Sequence, residues 1–439
     1  MRLILKNARI IDPASGFDDV ADLWIEDGLI AGIGRAPFPG NLVDLEGKIL
    51  APGLIDMHVH LREPGGGHKE TLATGAAAAS TGGFTAVAHM PNTSPVVDTP
   101  YLVRWVKMRS RGLPARVYPI AAVTEGQKGK KLTDFLALKS AGVVALSDDG
   151  HPIAHEGVMR RALEKAREVG VLMILHEEDP DLSSGGVVDC RIAGSLGLSG
   201  IPPDAEERMV ARDIALAEET GVPIHIAHVS TAGSVRLIRE AKARGVPLTC
   251  ETAPHYFVLT YEALIQYGTD AKMNPPLRSE EDRLEVLRGL ADGTIDAIAS
   301  DHAPHTPSEK ARPLSEAPFG VVGLETALGV SWTELVEGGV LPPEEVLAKL
   351  SLRPARILGV PGGRIVPGAP ADLTIVDPEV RWTVNPKSFH SKARNTPFAG
   401  RSLKGKAWMT ILGGKILKAG NLTSEAEVPE SVCTSTRTK

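Results

Sequence analysis

Apolar positions along this chain come in short bursts, and the texture of the bursts changes twice. Over the first fifty residues they alternate with polar positions in runs cut by turn chemistry. "RLILKNARII" stops at "DPASG", "DLWIEDGLIAGIG" carries an Asp-Gly turn, and "VDLEGKIL" runs into "APG". Alternation with period two marks half-buried strands, and Asp-Gly is a hairpin signal. The same texture returns from about residue 360, in "GRIVPGAPADLTIVDP" and in "WMTILGGKIL" with its Gly-Gly turn. Two β-rich ends predict one small β domain built from residues 1–51 together with 361–421, with everything else inserted between them. Residues 422–439 are polar and aperiodic, which predicts a disordered tail.

Between the two ends the pattern becomes strand, then helix, repeated. Apolar bursts at 54–60, 84–90, 116–122, 143–147, 171–176, 223–229, 247–252 and 296–300 are separated by helical stretches such as "EGVMRRALEKAREVG" and "DAEERMVARDIALAEETG". Eight strands alternating with helices predict an α/β chain whose residues 52–360 form a (β/α)8 barrel. A doubly wound open sheet is the competing topology, but no G-x-G-x-x-G follows the first strand.

In such a barrel, chemistry collects at the carboxyl ends of the strands. The first burst ends in "DMHVHLREPG", where His58 and His60 stand two apart and so project from the same face of a strand. That pair alone does not separate metal ligands from two histidines on an amphipathic strand. The other strand ends supply more: "PNT" with Asn92, "DDG" with Asp148 and Asp149, then His176, His228, "APH", and "DHAPH" with Asp301. Chance would place one or two of the 13 histidines there. Four imidazoles and two carboxylates make a first shell for two divalent ions sharing a carboxylate, and such ions polarise carbonyls and activate water. Alternation lets only one of Asp148 and Asp149 point into the mouth. His225 lies an odd number of positions from His228 and is expected to pack in the core, and His302 to be structural. His89, His151, His155 and His255 are given no role. Arg62 beside Glu63 has an ordinary reading as a surface ion pair, and Asn92 one as a turn residue.

Composition narrows the function classes. The chain has 439 residues, a net charge of −6 and no basic stretch, which argues against nucleic acid or an anionic membrane as partner. Cys190, Cys250 and Cys433 are odd in number and far apart, which fits a reducing compartment. No apolar run reaches the ~20 residues of a membrane span, and the first residues lack a signal peptide's apolar core. A cytoplasmic protein is expected.

Taken together, "DMHVHLREPG", "MPNT", "SDDG", "LHEE", "AHVS", "ETAPHYF", "KMNPPLR" and "SDHAPH" resemble the dihydroorotases of the amidohydrolase superfamily, in their longer class I form. The resemblance covers nearly the whole chain apart from the tail. It implies zinc, one or two ions per chain, and the reversible closure of N-carbamoyl-L-aspartate to L-dihydroorotate in pyrimidine synthesis. It further implies that His58, His60 and Asp301 hold one ion and that His176 and His228 hold the other. Asp149 bridges them, and Asp301 doubles as the proton shuttle. Arg62, Asn92 and His305 would read the substrate carboxylate, His60 would also touch substrate, and Asn274 with the backbone at Phe319 and Gly320 would meet the pyrimidine ring.

Two rivals stand beside this reading. A hydantoinase or allantoinase would use the same metals without a carboxylate pocket, and such relatives bridge with a carboxylated lysine that this chain lacks. A non-catalytic scaffold for aspartate transcarbamoylase would be expected to have lost metal ligands. The resemblance leaves open an aspartate transcarbamoylase partner and a homo-oligomer. The proline-rich stretch "HAPHTPSEKARPLSEAPFG" is expected to form a loop over the site, in the manner of a lid.

Overall fold

The computed structural model describes residues 2–37 and 39–418. Strands from both ends of the chain share one eight-stranded sheet. Arg2–Asp12 pairs antiparallel with Phe17–Glu26, which pairs with Leu29–Ile33, while Asn41–Asp44 and Ile49–Pro52 lie parallel to Arg2–Asp12. Ile49–Pro52 then joins the two halves, pairing antiparallel with Leu373–Thr383 from the far end, followed by Ser402–Leu412 and Lys415–Lys418. Its hairpins turn at Asp27-Gly28 and Gly413-Gly414, all four residues at positive φ (51°, 84°, 54° and 77°), the conformation that tight hairpin turns demand. The two turns lie against each other, and a Cβ on Gly414 would sit 2.6 Å from the Cα of Gly28. Leu5, Ile10, Leu23, Ile25, Leu50, Ile375 and Met409 fill the core of this sheet. The expected disordered tail at 422–439 lies outside the described residues.

The inserted middle is a parallel barrel. Leu54–Val59, Phe84–His89, Arg116–Ala121, Ala145–Leu146, Leu172–Leu175, Ile224–Ile226, Leu248–Thr252 and Ala297–Ile298 are neighbours in chain order. Each falls on one of the eight apolar bursts. The seam between last and first strand is bridged at Val59 and His302, where the His60 N–H donates to the His302 carbonyl at 2.8 Å. Among the described residues, no helix is long and apolar enough to cross a membrane.

Helix Glu156–Val169 shows why the connecting segments coil. Val158, Met159, Ala162, Leu163 and Ala166 recur at helical spacing and are buried against the strands. The His155 side chain caps its start, accepting from Gly157 N–H, and left-handed Gly170 ends it. Truncating a buried leucine such as Leu163 to alanine would cost about 2–5 kcal/mol. Lys139 donates to the carbonyls of Val169 and Gly170 at 2.6 and 2.9 Å, at the amino end of the fifth strand and so far from the mouth. Inside the barrel, small residues such as Ala86, Ala88, Ala145, Ala227, Ala297 and Ala299 pack with Ile55, Met57, Ile120 and Ile174.

Candidate active site

The carboxyl ends of five barrel strands bring His58, His60, Asp149, His176, His228 and Asp301 together, all buried. His58 gives Nδ1 to Glu251 Oε1 at 2.8 Å, and His60 gives Nδ1 to Asn92 Oδ1 at 2.8 Å. With both Nδ1 atoms fixed by side-chain oxygens, both Nε2 atoms turn inward. His60 Nε2 lies 3.1 Å from Asp301 Oδ1, and His58 Nε2 lies 3.3 Å from Asp149 Oδ1 and 3.7 Å from Asp301 Oδ1. Asp149 Oδ1 is also 3.5 Å from His176 Nδ1 and 3.5 Å from His228 Nε2, while its Oδ2 is 3.6 Å from His60 Nε2. One carboxylate therefore faces all four imidazoles.

Asp148, its neighbour, is turned away. It accepts from the N–H groups of Val123 and Thr124 at 2.8 and 3.1 Å and from the Thr124 hydroxyl. Burial pushes it up to about 6.

These residues fit a divalent cation. His58 Nε2 and Asp149 Oδ1 are buried, 3.3 Å apart, and neither makes a hydrogen bond. A buried ring nitrogen and a buried carboxylate oxygen that face common space without a hydrogen bond are what a cation would satisfy. His58, Asp149 and His228 present ligand atoms within 4.8 Å of one another, and so do His58, His60 and Asp301. The electrostatics agree. Burial works against every charge here, yet the imidazoles hold Asp149 well below the usual carboxylate range and Asp301 at about 2. Asp149 and Glu251 in turn raise His58 against the same burial.

The backbone is strained where this is built. Of six non-glycine residues at positive φ among those described, four belong here: Arg62 (62°), Gln127 (54°), His228 (37°) and Asp301 (46°). Such conformations cost roughly 1–3 kcal/mol each and persist only where the surroundings over-determine them. His228 and Asp301 sit past the last paired residue of their strands, and Gln127 Nε2 donates to the Asp149 carbonyl at 3.1 Å.

At the rim, Arg62 is half-buried and makes no ion pair among the described residues. Its Nε donates to the Pro304 carbonyl at 3.1 Å and its Nη2 lies 3.2 Å from His305 Nε2. The surface pair with Glu63 does not form, because Glu63 accepts from Leu72 N–H at 2.8 Å. His305 Nε2 is 2.7 Å from the Phe319 carbonyl, which can only accept, so that nitrogen carries the proton and Nδ1 accepts from Lys69 Nζ at 3.4 Å. Burial, Arg62 and Lys69 keep the ring neutral, down to about 2. The guanidinium thus faces a neutral ring and carbonyls.

Other expected substrate contacts are spoken for within the protein. Asn92 stands between His60 and Asp149, donating to Asp149 Oδ2 at 3.2 Å. Asn274 Nδ2 donates to Glu178 Oε2 at 2.6 Å, and Glu178 holds His176 Nε2 at 3.0 Å. Gly320 N–H donates to the Lys272 carbonyl at 2.9 Å, so only the carbonyls of Phe319 and Gly320 keep capacity to accept. Gly320 has φ 137°, and a Cβ there would meet the Ala303 carbonyl at 2.7 Å. The 302–320 loop is packed down: Lys272 Nζ donates to the carbonyls of Leu314 and Ala317 at 2.7 and 2.6 Å.

Sequence reasoning missed Glu251, Glu178, Gln127 and Asn395. The first two stand in quoted motifs, at strand ends, and a search for carboxylates beside the ligand positions would have found them. His225 is buried in the barrel wall, with Nδ1 2.8 Å from Thr249 Oγ1 and Nε2 3.6 Å from Glu251. His302 joins the seam to Glu70, 3.4 Å away. His89 Nδ1 accepts from Leu61 N–H and its Nε2 donates to the Glu63 carbonyl, shaping the loop that aims Arg62.

Comparison with known proteins gives the same picture. The family description "Dihydro-orotase-like" matches residues 47–234 and "Amidohydrolase family" matches residues 199–417. The chain is 54% identical to a dihydroorotase of Pelotomaculum thermopropionicum, over 95% of this chain and 98% of that one. The chain belongs to the dihydroorotase family. A dihydroorotase of Geobacter metallireducens is 48% identical over 95% and 99% of the two chains. Among solved structures, an L-hydantoinase from Arthrobacter aurescens superimposes with a TM-score of 0.86 at 24% identity, covering 96% of this chain and 97% of that one, a likeness of fold. As a member of the dihydroorotase family this chain is a metal-dependent cyclic amidohydrolase.

Proposed function

We propose that the protein interconverts N-carbamoyl-L-aspartate and L-dihydroorotate. The observation that carries this reading is Arg62, a half-buried cation without a carboxylate partner at the rim of a cluster of imidazoles and carboxylates. A guanidinium with neutral neighbours and no ion pair at the rim of the site suits an anionic ligand, and a carboxylate on a cyclic amide supplies one beside the reacting bond. A hydantoin ring has no such group.

We assign His58, His60 and Asp301 to one zinc ion and His176 and His228 to a second, with Asp149 between them. When bound, the metal supplies Lewis acidity toward the amide carbonyl and a nucleophilic water at neutral pH. The chain's own residues do the rest. In hydrolysis the ring C–N bond breaks, water's oxygen ends on the carbonyl carbon, and one of its protons ends on the departing nitrogen. Asp301 is the carrier of that proton: ionised at about 2, it can accept through Oδ1 and return the proton to nitrogen. Arg62 pairs with the substrate carboxylate, and the carbonyls of Phe319 and Gly320 accept from ring N–H. One or two metals per chain, a transcarbamoylase partner and self-association are all compatible with this chemistry. We place it in the cytoplasm, in keeping with three scattered cysteines.

The test is direct. Ring closure consumes a proton, because a dianion becomes a monoanion and water. Purified zinc-loaded protein given N-carbamoyl-L-aspartate should form dihydroorotate, with an equilibrium ratio that rises as the pH falls. Absence of turnover in metal-replete protein, or a ratio independent of pH, would overturn the reading.

A further inference from the structure

The carboxylate subsite has a support that comes from outside the barrel. Asn395 lies between the strands Leu373–Thr383 and Ser402–Leu412 of the terminal sheet, in a stretch that crosses to the barrel mouth. Its side chain is 4% exposed and its amide is used on both sides. Oδ1 accepts from the backbone N–H of His305 at 3.2 Å, and Nδ2 donates to the carbonyls of Ala303 at 3.2 Å and Gly320 at 2.9 Å. Its own carbonyl accepts from Val322 N–H at 2.8 Å. One amide therefore ties the His305 backbone to the Gly320 backbone, and between them stands the His305–Phe319 contact against which Arg62 rests. Four and three residues earlier in the same stretch, the Ser391 hydroxyl and the Lys392 N–H are given instead to Glu70, beside the seam.

We infer that Asn395 is a positioning residue for the carboxylate subsite, acting through His305 and Gly320 and touching neither metal nor substrate. This rests on the reading of Arg62 and His305 given above. Glycine at 320, held at φ 137° with no room for a Cβ, cannot be fixed by side-chain packing, so its carbonyl direction depends on the amide that grips it. An acetamide is suited to the task because it offers an acceptor and two donors in one plane. Its loss would leave buried backbone groups unpaired on both sides of the subsite.

The experiment compares kcat/KM for L-dihydroorotate with that for its methyl ester, in zinc-loaded enzyme. The wild type should prefer the acid; if it does not, the carboxylate reading itself fails and Asn395 is not the cause. In Asn395→Ala the preference should fall by roughly tenfold, mostly through a higher KM for the acid, with zinc content unchanged. Ser391→Ala, which loosens the same stretch at its Glu70 contact, should lower both substrates alike and keep the ratio. If Asn395→Ala does not fold, Asn395→Asp keeps the shape and the acceptor for His305 while losing both donors, and the ratio should fall there too. A wild-type ratio in whichever variant folds would reduce Asn395 to a structural role.

Discussion

The metal cluster and the carboxylate subsite are neighbours at one barrel mouth, yet they are built by opposite rules. In the cluster imidazoles and carboxylates face one another inside the protein: His58 lies against Asp149 and Glu251, His60 against Asp301, His176 against Asp149 and Glu178. In the subsite Lys69 is paired with Glu309 at 2.9 Å, but Arg62 is left facing carbonyl oxygen and neutral His305. A compensated set of imidazoles and carboxylates keeps its geometry in the absence of substrate and exchanges its internal pairs for a cation. A half-buried guanidinium without a counter-ion favours ligands that bring one, and so discriminates among them. The first region is organised for catalytic power, the second for selection.

That contrast is most severely tested at Asp149, the hub of the cluster. Asp149→Ala should lose zinc and lower turnover by roughly four orders of magnitude, since it removes the group on which all four imidazoles converge. Metal analysis and dihydroorotate assay together read the result, and a variant with normal metal and rate would refute the assignment. Because a carboxylate already carries the charge and two oxygens, metal-stripped wild type should regain full activity with zinc in bicarbonate-free buffer. Asp301→Asn comes next. Its rate should fall about 10²- to 10⁴-fold, the usual size of a general acid–base contribution. Activity within a factor of two of wild type would remove Asp301 from the mechanism.

Arg62→Met should separate the two regions. Losing a charge-assisted contact to a carboxylate costs a few kcal/mol, about 10²-fold in kcat/KM for dihydroorotate. Zinc content should be untouched. Loss of metal in this variant would mean that subsite and cluster are one unit.

The two regions also differ in how far the sequence disclosed them. Strand period and barrel topology place His58, His60 and His176 at strand ends by arithmetic, so those positions are visible before any coordinates. Asp149 against Asp148 was not decidable that way, because strand Ala145–Leu146 is too short to carry alternation to position 149; the Thr124 hydroxyl and N–H, reached by a loop, take Asp148 instead. The subsite was less legible still. Asn92 is aimed at His60 and Asp149, a direction set by the turn it stands in, and Asn395 acts 90 residues away from His305 through backbone groups, which leave no pattern in side-chain chemistry.

Glu251 offers a finer test within the cluster. It fixes His58 by Nδ1 and by no contact with the other ligands, so Glu251→Gln should preserve the fold and weaken the ligand. Supporting carboxylates of this kind are worth about 10- to 100-fold in metal affinity. Zinc dissociation measured by competition with a chelator should show it. Unchanged affinity would make Glu251 a packing residue only.

The smallest expected effect is thermal. In metal-stripped protein, His176 is subject to burial that lowers it, but Asp149 and Glu178 outweigh that and raise it to about 10. A histidine raised above its unfolded value of ~6.5 contributes stability that is complete below that pH and is lost as pH climbs through the folded value. The zinc-loaded protein behaves in the opposite sense, because metal binding requires neutral imidazoles and strengthens as protons leave. Lys272, Lys310 and Lys349, which burial lowers to about 8, 7 and 8, favour the folded state as pH rises. They do so in both forms, and the subtraction cancels them. The difference in melting temperature between loaded and stripped protein should therefore widen from pH 6.5 toward 9, by a few degrees. His305, neutral throughout that window, contributes nothing to the change. The widening should persist in Arg62→Met, which leaves the cluster intact. It should be absent in Asp149→Ala, whose loss of zinc leaves no loaded form to stabilise. A difference independent of pH in the wild type would mean that His176 is not held as a cation by Asp149 and Glu178 before metal arrives, and the compensated half of the comparison would have to be redrawn.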